Sequence, residues 1–250
     1  MGEERFKGRV ALVTGATRGI GRAVVDMLVD LGLRVVACGR DQPRLDALAA
    51  AHGEAVWPLA LDLRDVAAIE ATFAQVRERW GGVDVLVNNA GLGKAAPLLS
   101  GDAEDWRTML DVNVLALCVC TREATRDMLA RGRGHVVHVS SLSGHRVAGG
   151  TGGVYAASKF AVRALTEGLR RELQQQGADR VRVTAISPGF VETDFHRTMH
   201  GLPEGDPAGK PVDYPMLTPE DVAGAVRYAL CTPDHVQIHD VLMRPTQQEL

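Results

Sequence analysis

The sequence predicts an α/β fold: one doubly wound domain in which helices cover both faces of a seven-stranded parallel sheet. Three observations carry this prediction. Short apolar runs alternate with longer segments of helical spacing, the alternation continues along the chain without a linker, and 46% of the 250 residues are hydrophobic. Nearly continuous apolar strands separated by helices are typical of a parallel sheet that is buried on both faces. We therefore expect residues 1–250 to form one domain with one large core.

The order of the elements follows from the spacing of the apolar residues. The short runs predict seven strands, which are Arg9–Thr14, Leu33–Cys38, Ala55–Leu61, Val83–Val87, His135–Val139, Val181–Ile186 and Val236–Met243. The segments between them predict six helices, which are Gly19–Leu31, Pro43–Ala51, Val66–Trp80, Glu104–Arg131, Tyr155–Gln176 and Pro219–Leu230. Residues 188–217 interrupt this rhythm with five prolines and four glycines. Such a long irregular stretch in a compact domain predicts a substrate lid.

Composition and charge exclude several classes of protein. The formal net charge of −3 argues against a nucleic-acid-binding surface. The four cysteines are too few for a disulfide framework, so we expect reduced thiols. No apolar run approaches the roughly 18 residues of a membrane-spanning helix, and the charged N-terminus does not resemble a signal peptide. We therefore expect a cytoplasmic protein with neither nucleic-acid nor membrane partners.

A glycine-rich turn joins the first predicted strand to the first predicted helix. Gly15, Gly19 and Gly21 let the backbone turn tightly and let a pyrophosphate approach the main-chain amides at the positive end of the helix. This placement predicts a dinucleotide-binding site. The other residues of the turn that we expect at this site are Thr17, Arg18 and Ile20.

The end of the second predicted strand distinguishes the two nicotinamide cofactors. An acidic residue there accepts hydrogen bonds from the adenosine ribose, whereas an arginine pairs with the 2′-phosphate of NADP(H). This sequence places Arg40 there, directly before Asp41, and has Arg18 in the glycine-rich turn. The two arginines favour NADP(H) over NAD(H).

A phenol and an ammonium group are predicted to share one helix face, because Tyr155 and Lys159 are four residues apart. A nearby cation lowers the pKa of a phenol, so we expect Lys159 to make Tyr155 a usable acid and base near neutral pH. Ser141 follows the fifth predicted strand, and the carboxyl ends of the strands are where open α/β sheets bind ligands. These side chains predict proton transfer at that edge of the sheet.

Taken together, these motifs resemble those of the short-chain dehydrogenase/reductase family, whose fold is Rossmann-like. Thr14–Gly21 is similar to its TGxxxGxG motif, and Asn88–Gly91 to its NNAG motif. Ser141 and Tyr155 are fourteen residues apart, where thirteen is common in the family. The resemblance spans residues 8–245. The catalytic tetrad that it implies is Asn113, Ser141, Tyr155 and Lys159.

The resemblance also implies a mechanism and a set of cofactor residues. Tyr155 is expected to protonate a carbonyl oxygen held by Ser141, while Lys159 binds the nicotinamide ribose and lowers the pKa of the phenol. Asn113 is expected to anchor a water molecule that links Lys159 to solvent. The residues implied for binding NADP(H) are Gly15, Thr17, Arg18, Gly19, Ile20, Gly21, Arg40, Asp41, Asp62, Leu63, Asn89, Ala90, Gly91, Tyr155, Lys159, Pro188, Gly189, Val191 and Thr193.

Motifs in the second half resemble a narrower branch of the family that uses NADP(H) on keto/hydroxysteroids or 3-hydroxy acids. Examples are Ser143-Gly-His-Arg-Val and the ending Met243-Arg-Pro-Thr. The resemblance implies an NADPH-dependent carbonyl reductase or alcohol dehydrogenase of a ketone or aldehyde, for which a keto/hydroxysteroid is one candidate. Two alternatives stay open: an NADP-dependent 3-hydroxy acid dehydrogenase of the serine type, and a sensor that binds NADP without turnover.

The lid is expected to supply much of the substrate site. Its aromatic residues and Met199 predict an apolar wall, whereas any one of His145, Arg146 and Arg197 could bind a substrate carboxylate. The residues expected to contact substrate are Ser141, Tyr155, His145, Phe190, Phe195 and Met199.

Histidines recur at a spacing of four residues, which on a helix can bind zinc. His196 and His200 fall in the irregular lid, however, and His235 and His239 lie near a predicted strand. No cysteine or carboxylate cluster in the sequence completes either pair. We therefore expect no metal site.

The two long predicted helices, Glu104–Arg131 and Tyr155–Gln176, carry more apolar residues than one sheet face needs. A helix that is apolar nearly all round is buried on both sides. In the family that the sequence resembles, these helices pair with their copies across a two-fold axis. We therefore expect a homodimer or homotetramer.

Overall fold

The structure, a computed structural model, describes residues 4–147 and 150–249; residues 1–3, 148, 149 and 250 of the predicted domain lie outside that part. The strands are β1 (Val10–Thr14), β2 (Arg34–Gly39), β3 (Val56–Ala60), β4 (Val85–Asn88), β5 (Gly134–Val139), β6 (Val181–Pro188) and β7 (Asp240–Met243). The α-helices are α1 (Gly19–Asp30), α2 (Gln42–His52), α3 (Val66–Trp80), α4 (Ala103–Leu110), α5 (Ala116–Arg131), α6 (Gly153–Gln175), α7 (Phe195–Met199) and α8 (Pro219–Cys231). None of the helices in the described residues is long and apolar enough to cross a membrane.

The strands form one parallel sheet in the order β3-β2-β1-β4-β5-β6-β7. The predicted doubly wound α/β fold is confirmed. The order reverses at β1, which pairs with β2 on one side and with β4 on the other. The chain therefore leaves these strands in opposite directions, and a crevice opens at the carboxyl edge of the sheet, where such folds bind ligands.

Alternation along the strands divides the core into two layers, one on each face of the sheet. In β1, Ala11 and Val13 pack in the layer with α1, α2 and α8, whereas Val10 and Leu12 pack in the layer with α3, α5 and α6. Consecutive strand side chains point to opposite faces. A sheet covered on both faces therefore requires the continuous apolar runs seen in the sequence.

The helix predicted over Glu104–Arg131 is not one continuous α-helix. The structure divides it into α4, a π-helical segment over Asp111–Leu115, and α5. A π-helical turn shifts the positions of side chains without interrupting the run of helical residues, and such turns occur at functional sites. The apolar spacing alone does not reveal this shift.

The seventh strand begins at Asp240 and is therefore shorter than the predicted Val236–Met243. The preceding Ile238 carbonyl accepts hydrogen bonds from the Thr184 hydroxyl at 2.8 Å and from the Gln237 side-chain amide at 2.9 Å. In a longer β7, the Ile238 carbonyl would pair with a backbone amide of a neighbouring strand. Here the two side-chain donors satisfy it instead. Each other predicted strand, and each predicted helix apart from the divided one, agrees with the structure to within two residues at each end.

A chain of buried polar side chains links β4 and β5 to α5 and α6. The Asn88 amide donates to the Thr121 hydroxyl at 2.9 Å, and that hydroxyl lies 3.2 Å from Nε2 of His138. On the other side of the ring, Nδ1 lies 2.8 Å from the Thr166 hydroxyl, which itself donates to the Val162 carbonyl at 2.7 Å. The Thr166 oxygen therefore accepts from Nδ1, and Nε2 accepts from Thr121. Burial lowers the pKa of His138 to about 3.

We expect the free energy of unfolding to fall as the pH is lowered from 6.5 towards 3. In that range the unfolded chain binds a proton at His138 and the folded protein does not, so stability rises with pH. The loss attributable to this ring is about 2 kcal/mol at about pH 5. Urea unfolding at about pH 7 and about pH 5 measures it, with His138→Gln as the comparison. Buried His135 also lowers the stability of both proteins as the pH falls, so the wild type should lose more stability than the variant. An equal loss in the two proteins would contradict the assignment to His138.

Candidate active site

A cavity of about 2000 Å³ lies at the carboxyl edge of the sheet, where the strand order reverses. It is bordered by the loops after β1, β4, β5 and β6 and by α7. The predicted site residues that line it are Gly15, Thr17, Arg18, Gly19, Ile20, Gly21, Arg40, Asp62, Leu63, Asn89, Ala90, Gly91, Ser141, Tyr155, Lys159, Pro188, Gly189, Phe190, Val191, Thr193, Phe195 and Met199. The fold thus brings together residues that are up to 184 positions apart in the sequence, Gly15 and Met199.

The glycine-rich turn forms the part of this cavity after β1. Gly15 and Gly19 have φ values of 66° and 52°, which other residues rarely adopt. A Cβ atom on Gly21 would overlap the Gly15 carbonyl, so the turn closes only without a side chain there. From β4, the Asn89 amide donates to the carbonyls of Thr14 and Gly15 at 2.9 and 3.1 Å. Asn89 therefore holds the shape of the turn.

Arginines gather at the end of the cavity next to β2. Arg18 and Arg40 both line it, and Arg18 also forms an ion pair with Asp194 at 3.1 Å. Arg64 lines the same end and pairs with Asp62 at 2.5 Å. Hydrogen bonds from Arg64 lower the pKa of Asp62 to about 2. This end of the cavity carries the guanidinium groups that a phosphate requires.

Three predicted site residues, Asp41, His145 and Asn113, are not part of the cavity lining, and the first two have other charged partners. The Asp41 carboxylate caps α2, accepting a hydrogen bond from the Arg44 amide at 3.1 Å and pairing with its guanidinium at 3.2 Å. The His145 imidazole lies 3.1 Å from the Asp240 carboxylate at the start of β7. The positions of Asp41 and His145 therefore do not support the cofactor and substrate contacts expected for them.

Lys159 is a buried cation in the wall of the cavity. Its side chain reaches from α6 to the end of β5, where Nζ donates to the Val139 carbonyl at 2.9 Å. Only 4% of the residue is exposed, and burial lowers the pKa of the amine to about 8. A Cβ atom on Gly91 would stand 3.3 Å from Nζ, so the loop after β4 packs closely against the amine. The ammonium is thus held at a fixed point beside the NNAG segment.

The pKa of Tyr155 corrects one expectation from the sequence. We expected Lys159 to lower it, but burial raises the pKa of the phenol to about 12, and a hydrogen bond with Ser141 only partly opposes that rise. Nζ of Lys159 lies 5.9 Å from the centre of the ring. The cost of desolvating the phenolate therefore sets the direction of the shift in the pKa of Tyr155. Tyr155 is a protonated donor at neutral pH.

Asn113 lies behind the cavity wall and not in it. Its amide accepts a hydrogen bond from the Leu92 amide and donates to the Leu92 carbonyl, both at 2.9 Å, and it also donates to the Ser158 hydroxyl at 3.0 Å. The π-helical segment positions the side chain for these contacts. Asn113 thus ties the loop after β4 to α6, one residue before Lys159.

Helix α7, within the predicted lid, forms an apolar wall next to the phenol. The rings of Phe195 and Tyr155 have centroids 5.2 Å apart. A Cβ atom on Gly93 would stand 3.0 Å from both the Met199 sulfur and the tip of the Phe195 ring. The loop after β4 and α7 are therefore packed together, and their apolar side chains form one side of the cavity next to Tyr155.

The lid histidines line the cavity as well. The rings of His196 and His200 have centroids 4.5 Å apart. Within residues 4–147 and 150–249, no group of three or more His, Cys, Asp or Glu side chains is placed to hold a metal ion. Arg197, a candidate carboxylate partner in the sequence, pairs with Asp194 at 3.2 Å instead.

Sequence reasoning missed several residues that shape the site. Arg64 had a signal, because it directly follows Asp62 and Leu63, which the resemblance implies for binding NADP(H). Thr14 accepts hydrogen bonds from the amides of Asn89 and Ala90 at 3.1 and 3.0 Å, which only the pairing of β1 with β4 brings within reach. Gln248, near the end of the chain, also lines the cavity, and no motif marked it.

Comparisons with known proteins agree with this geometry. The chain matches a family model described as short chain dehydrogenase over residues 9–201. It is 46% identical to dehydrogenase/reductase SDR family member 11 of Mus musculus, covering 99% of this chain and 98% of the relative. It is 39% identical to the NADP-dependent 3-hydroxy acid dehydrogenase of Salmonella typhi, covering 96% of each. The closed form of serine dehydrogenase complexed with NADP+ superposes with a TM-score of 0.90 at 37% identity, covering 96% of both chains.

Proposed function

Because the chain belongs to the short-chain dehydrogenase family and is an NADP-dependent oxidoreductase acting on CH–OH groups, we propose that it works as a carbonyl reductase. The proposed reaction reduces a ketone or an aldehyde with NADPH and, in reverse, oxidises the alcohol. The observation that carries the proposal is the placement of Ser141, Tyr155 and Lys159 in one cavity with the arginine-rich end.

The residues of the cavity fit NADPH at two places. The absence of a side chain at Gly21 keeps the glycine-rich turn closed for a pyrophosphate, and Arg18 and Arg40 stand where a 2′-phosphate would need cations. Lys159 would hold the nicotinamide ribose. When bound, NADPH supplies the hydride. The protein's part is to orient the substrate and to provide the proton.

Tyr155 provides that proton to the carbonyl oxygen of the substrate. A pKa of about 12 keeps the phenol protonated at neutral pH, so it acts as the acid in the reductive direction. Ser141 donates a hydrogen bond to the same oxygen and thereby orients the carbonyl. Lys159, with a pKa of about 8, is mostly charged at neutral pH and stabilises the phenolate that remains.

The walls around this oxygen favour a neutral, apolar carbonyl compound. Phe195 and Met199 pack next to Tyr155 and face the loop at Gly93. Lys94, a nearby cation that lines the cavity, lies 3.5 Å from the carboxylate of Asp105. A keto/hydroxysteroid is one substrate with the flat apolar shape that this wall suits.

A 3-hydroxy acid dehydrogenase of the serine type is the second candidate, and Arg146 is the observation that favours it. This arginine lines the cavity, and its guanidinium donates to the Glu249 backbone carbonyl at 2.6 Å. A carbonyl is neutral, so this hydrogen bond does not compensate the positive charge. A substrate carboxylate would provide that compensation. The same site would then oxidise the hydroxyl group on the third carbon of the acid.

A panel of substrates tests these candidates against each other and against a sensor that binds NADP without turnover. NADPH oxidation is measured with ketosteroids, small cyclic ketones and 3-oxo acids, and the reverse reaction with 3-hydroxy acids and serine. Turnover of the neutral ketones supports the carbonyl reductase. Turnover confined to the acids supports the second candidate, and NADPH binding without any turnover supports the sensor.

We expect Tyr155→Phe to lower kcat by a factor of roughly 100 or more, because the variant has no phenolic proton to donate. NADPH affinity should stay within a few-fold, since the ring and the ribose contacts of Lys159 remain. Steady-state kinetics and a fluorescence titration with NADPH measure the two quantities. Tyr228→Phe, at an exposed position on α8, is the matched control and should behave as the wild type. Retained turnover in Tyr155→Phe would overturn the assignment of the acid.

We expect Arg40→Asp to shift preference from NADPH towards NADH. The variant loses a charge-assisted contact with the 2′-phosphate and adds repulsion, so NADPH affinity should fall roughly tenfold to hundredfold. Ratios of kcat/KM for the two cofactors measure the change. Arg44→Asp, on α2 outside the cavity, removes the same charge and should keep the preference for NADPH. Equal cofactor preference in the two variants would show that Arg40 contributes only to the overall electrostatic potential and makes no specific contact with the 2′-phosphate.

The surface formed by α4, the π-helical segment and α6 supports a proposed homodimer or homotetramer. Leu110 is 45% exposed, Leu115 49% and Phe160 40%, although each is a large apolar side chain. Burying them against a second copy removes this surface from water and gives the mainly apolar, symmetric contact typical of stable dimers.

Light scattering should therefore give a particle of at least twice the 26.8 kDa of one chain. We expect Leu115→Glu to shift the particle towards the monomer, because it places a charge in the proposed contact. Leu99→Glu is the matched control: this leucine is 99% exposed, outside the three helices, and its substitution should leave the mass unchanged. A monomeric wild type at micromolar concentration would refute the proposal.

A further inference from the structure

The last described residues of the chain return to the cavity. Gln248, two positions from the C-terminus, is only 8% exposed, although glutamine is rarely buried without a specific partner. Its neighbour Gln247 is exposed. One of two adjacent glutamines is therefore enclosed by the fold, and its contacts indicate why.

The side chain of Gln248 is bound to the loop that follows β6. Its Oε1 accepts a hydrogen bond from the Phe190 amide at 2.9 Å. A Cβ atom on Gly189 would overlap that same oxygen and would stand 2.9 Å from Cβ of Arg244. Gly189 therefore lets the backbone approach Gln248, and the side-chain oxygen of Gln248 satisfies the part-buried Phe190 amide.

Other contacts fix both partners of this hydrogen bond. The Phe190 carbonyl accepts from the Leu217 amide at 3.0 Å, and the Gly189 amide donates to the Met243 carbonyl at 2.7 Å. The Gln248 amide itself donates to the Pro245 carbonyl at 3.0 Å, which forms a turn at the end of the chain. Gln248 thus adds a side-chain hydrogen bond to the backbone contacts that hold the loop.

We propose that Gln248 is a positioning residue that holds the Pro188–Val191 loop in place at the reactive end of the cavity. The inference rests on the proposed function, because this loop lines the same cavity as Tyr155 and Ser141. The hydrogen bond acts on the loop backbone, and the cations for the 2′-phosphate, Arg18 and Arg40, lie at the other end. Loss of the bond should therefore disturb the geometry of the reaction more than the affinity for NADPH.

Three variants separate this role from simple anchoring of the chain end. Gln248→Met keeps the length of the side chain and removes the acceptor. Gln248→Glu restores an acceptor for the Phe190 amide. Gln247→Met makes the same chemical change at the exposed neighbour and is the matched control.

The first readout is hydrogen exchange of the Phe190 amide without cofactor, which does not depend on turnover. We expect exchange at least about tenfold faster in Gln248→Met than in the wild type. Gln248→Glu and Gln247→Met should keep slow exchange. The Gly189 amide, which bonds to β7 in every variant, is the internal reference.

The second readout is the bound cofactor. We expect Gln248→Met to lose the fluorescence enhancement of the bound nicotinamide and to lower kcat at least about tenfold, with NADPH affinity within about threefold. Gln248→Glu should recover most of both. Unchanged Phe190 exchange in Gln248→Met would overturn the proposal, and so would faster exchange with wild-type fluorescence and kcat. If the wild type turns over no carbonyl substrate, the proposed function fails, and exchange with nicotinamide fluorescence still decides the role of Gln248.

Discussion

The site depends on one buried interaction, the hydrogen bond from the Lys159 ammonium to the Val139 carbonyl at the end of β5. Taking an ammonium out of water costs several kcal/mol unless good acceptors receive it. The carboxyl end of a parallel strand offers such an acceptor, and α6 brings the lysine to it. Because the amine is fixed there, the residues near it in sequence are fixed as well: Tyr155 lies one turn earlier on α6, and Ser141 two positions after Val139. The catalytic geometry therefore follows from how α6 packs on β5.

The same burial sets the protonation of the site. A low dielectric disfavours both the charged lysine and the charged phenolate, so the pKa of Lys159 falls to about 8 while that of Tyr155 rises to about 12. The pair is consequently a cation beside a neutral acid at neutral pH, and both protons are in place before a carbonyl arrives. The hydrogen bond between Ser141 and Tyr155 only partly opposes the rise in the pKa of the phenol. The arrangement favours donation of a proton over its removal.

Local sequence patterns were enough to predict the fold, the glycine-rich turn and the Tyr155–Lys159 pair, because each depends on spacing within one or two elements. What the sequence could not show depends on contacts between distant segments. The π-helical segment that lets Asn113 bind Leu92 leaves no trace in apolar spacing. Asp41 was expected at the cofactor from the family resemblance, yet its carboxylate caps the first turn of α2. The direction of the Tyr155 pKa depends on burial, which spacing does not measure.

The two ends of the cavity are stabilised by different means, and this difference bears on specificity. At the arginine-rich end, exposed side chains form ion pairs: Arg64 with Asp62, and Arg18 with Asp194. Exposed ion pairs of this kind contribute little to stability and exchange partners readily, so an arriving phosphate can recruit these arginines. At the proposed reactive end, side chains form buried or part-buried hydrogen bonds with backbone groups, as Lys159 does with Val139 and Gln248 with Phe190. Such bonds are costly to leave unmade. In the proposed function, the arginines at one end therefore act on cofactor affinity and the backbone contacts at the other on the geometry of the reaction, while Lys159 serves both.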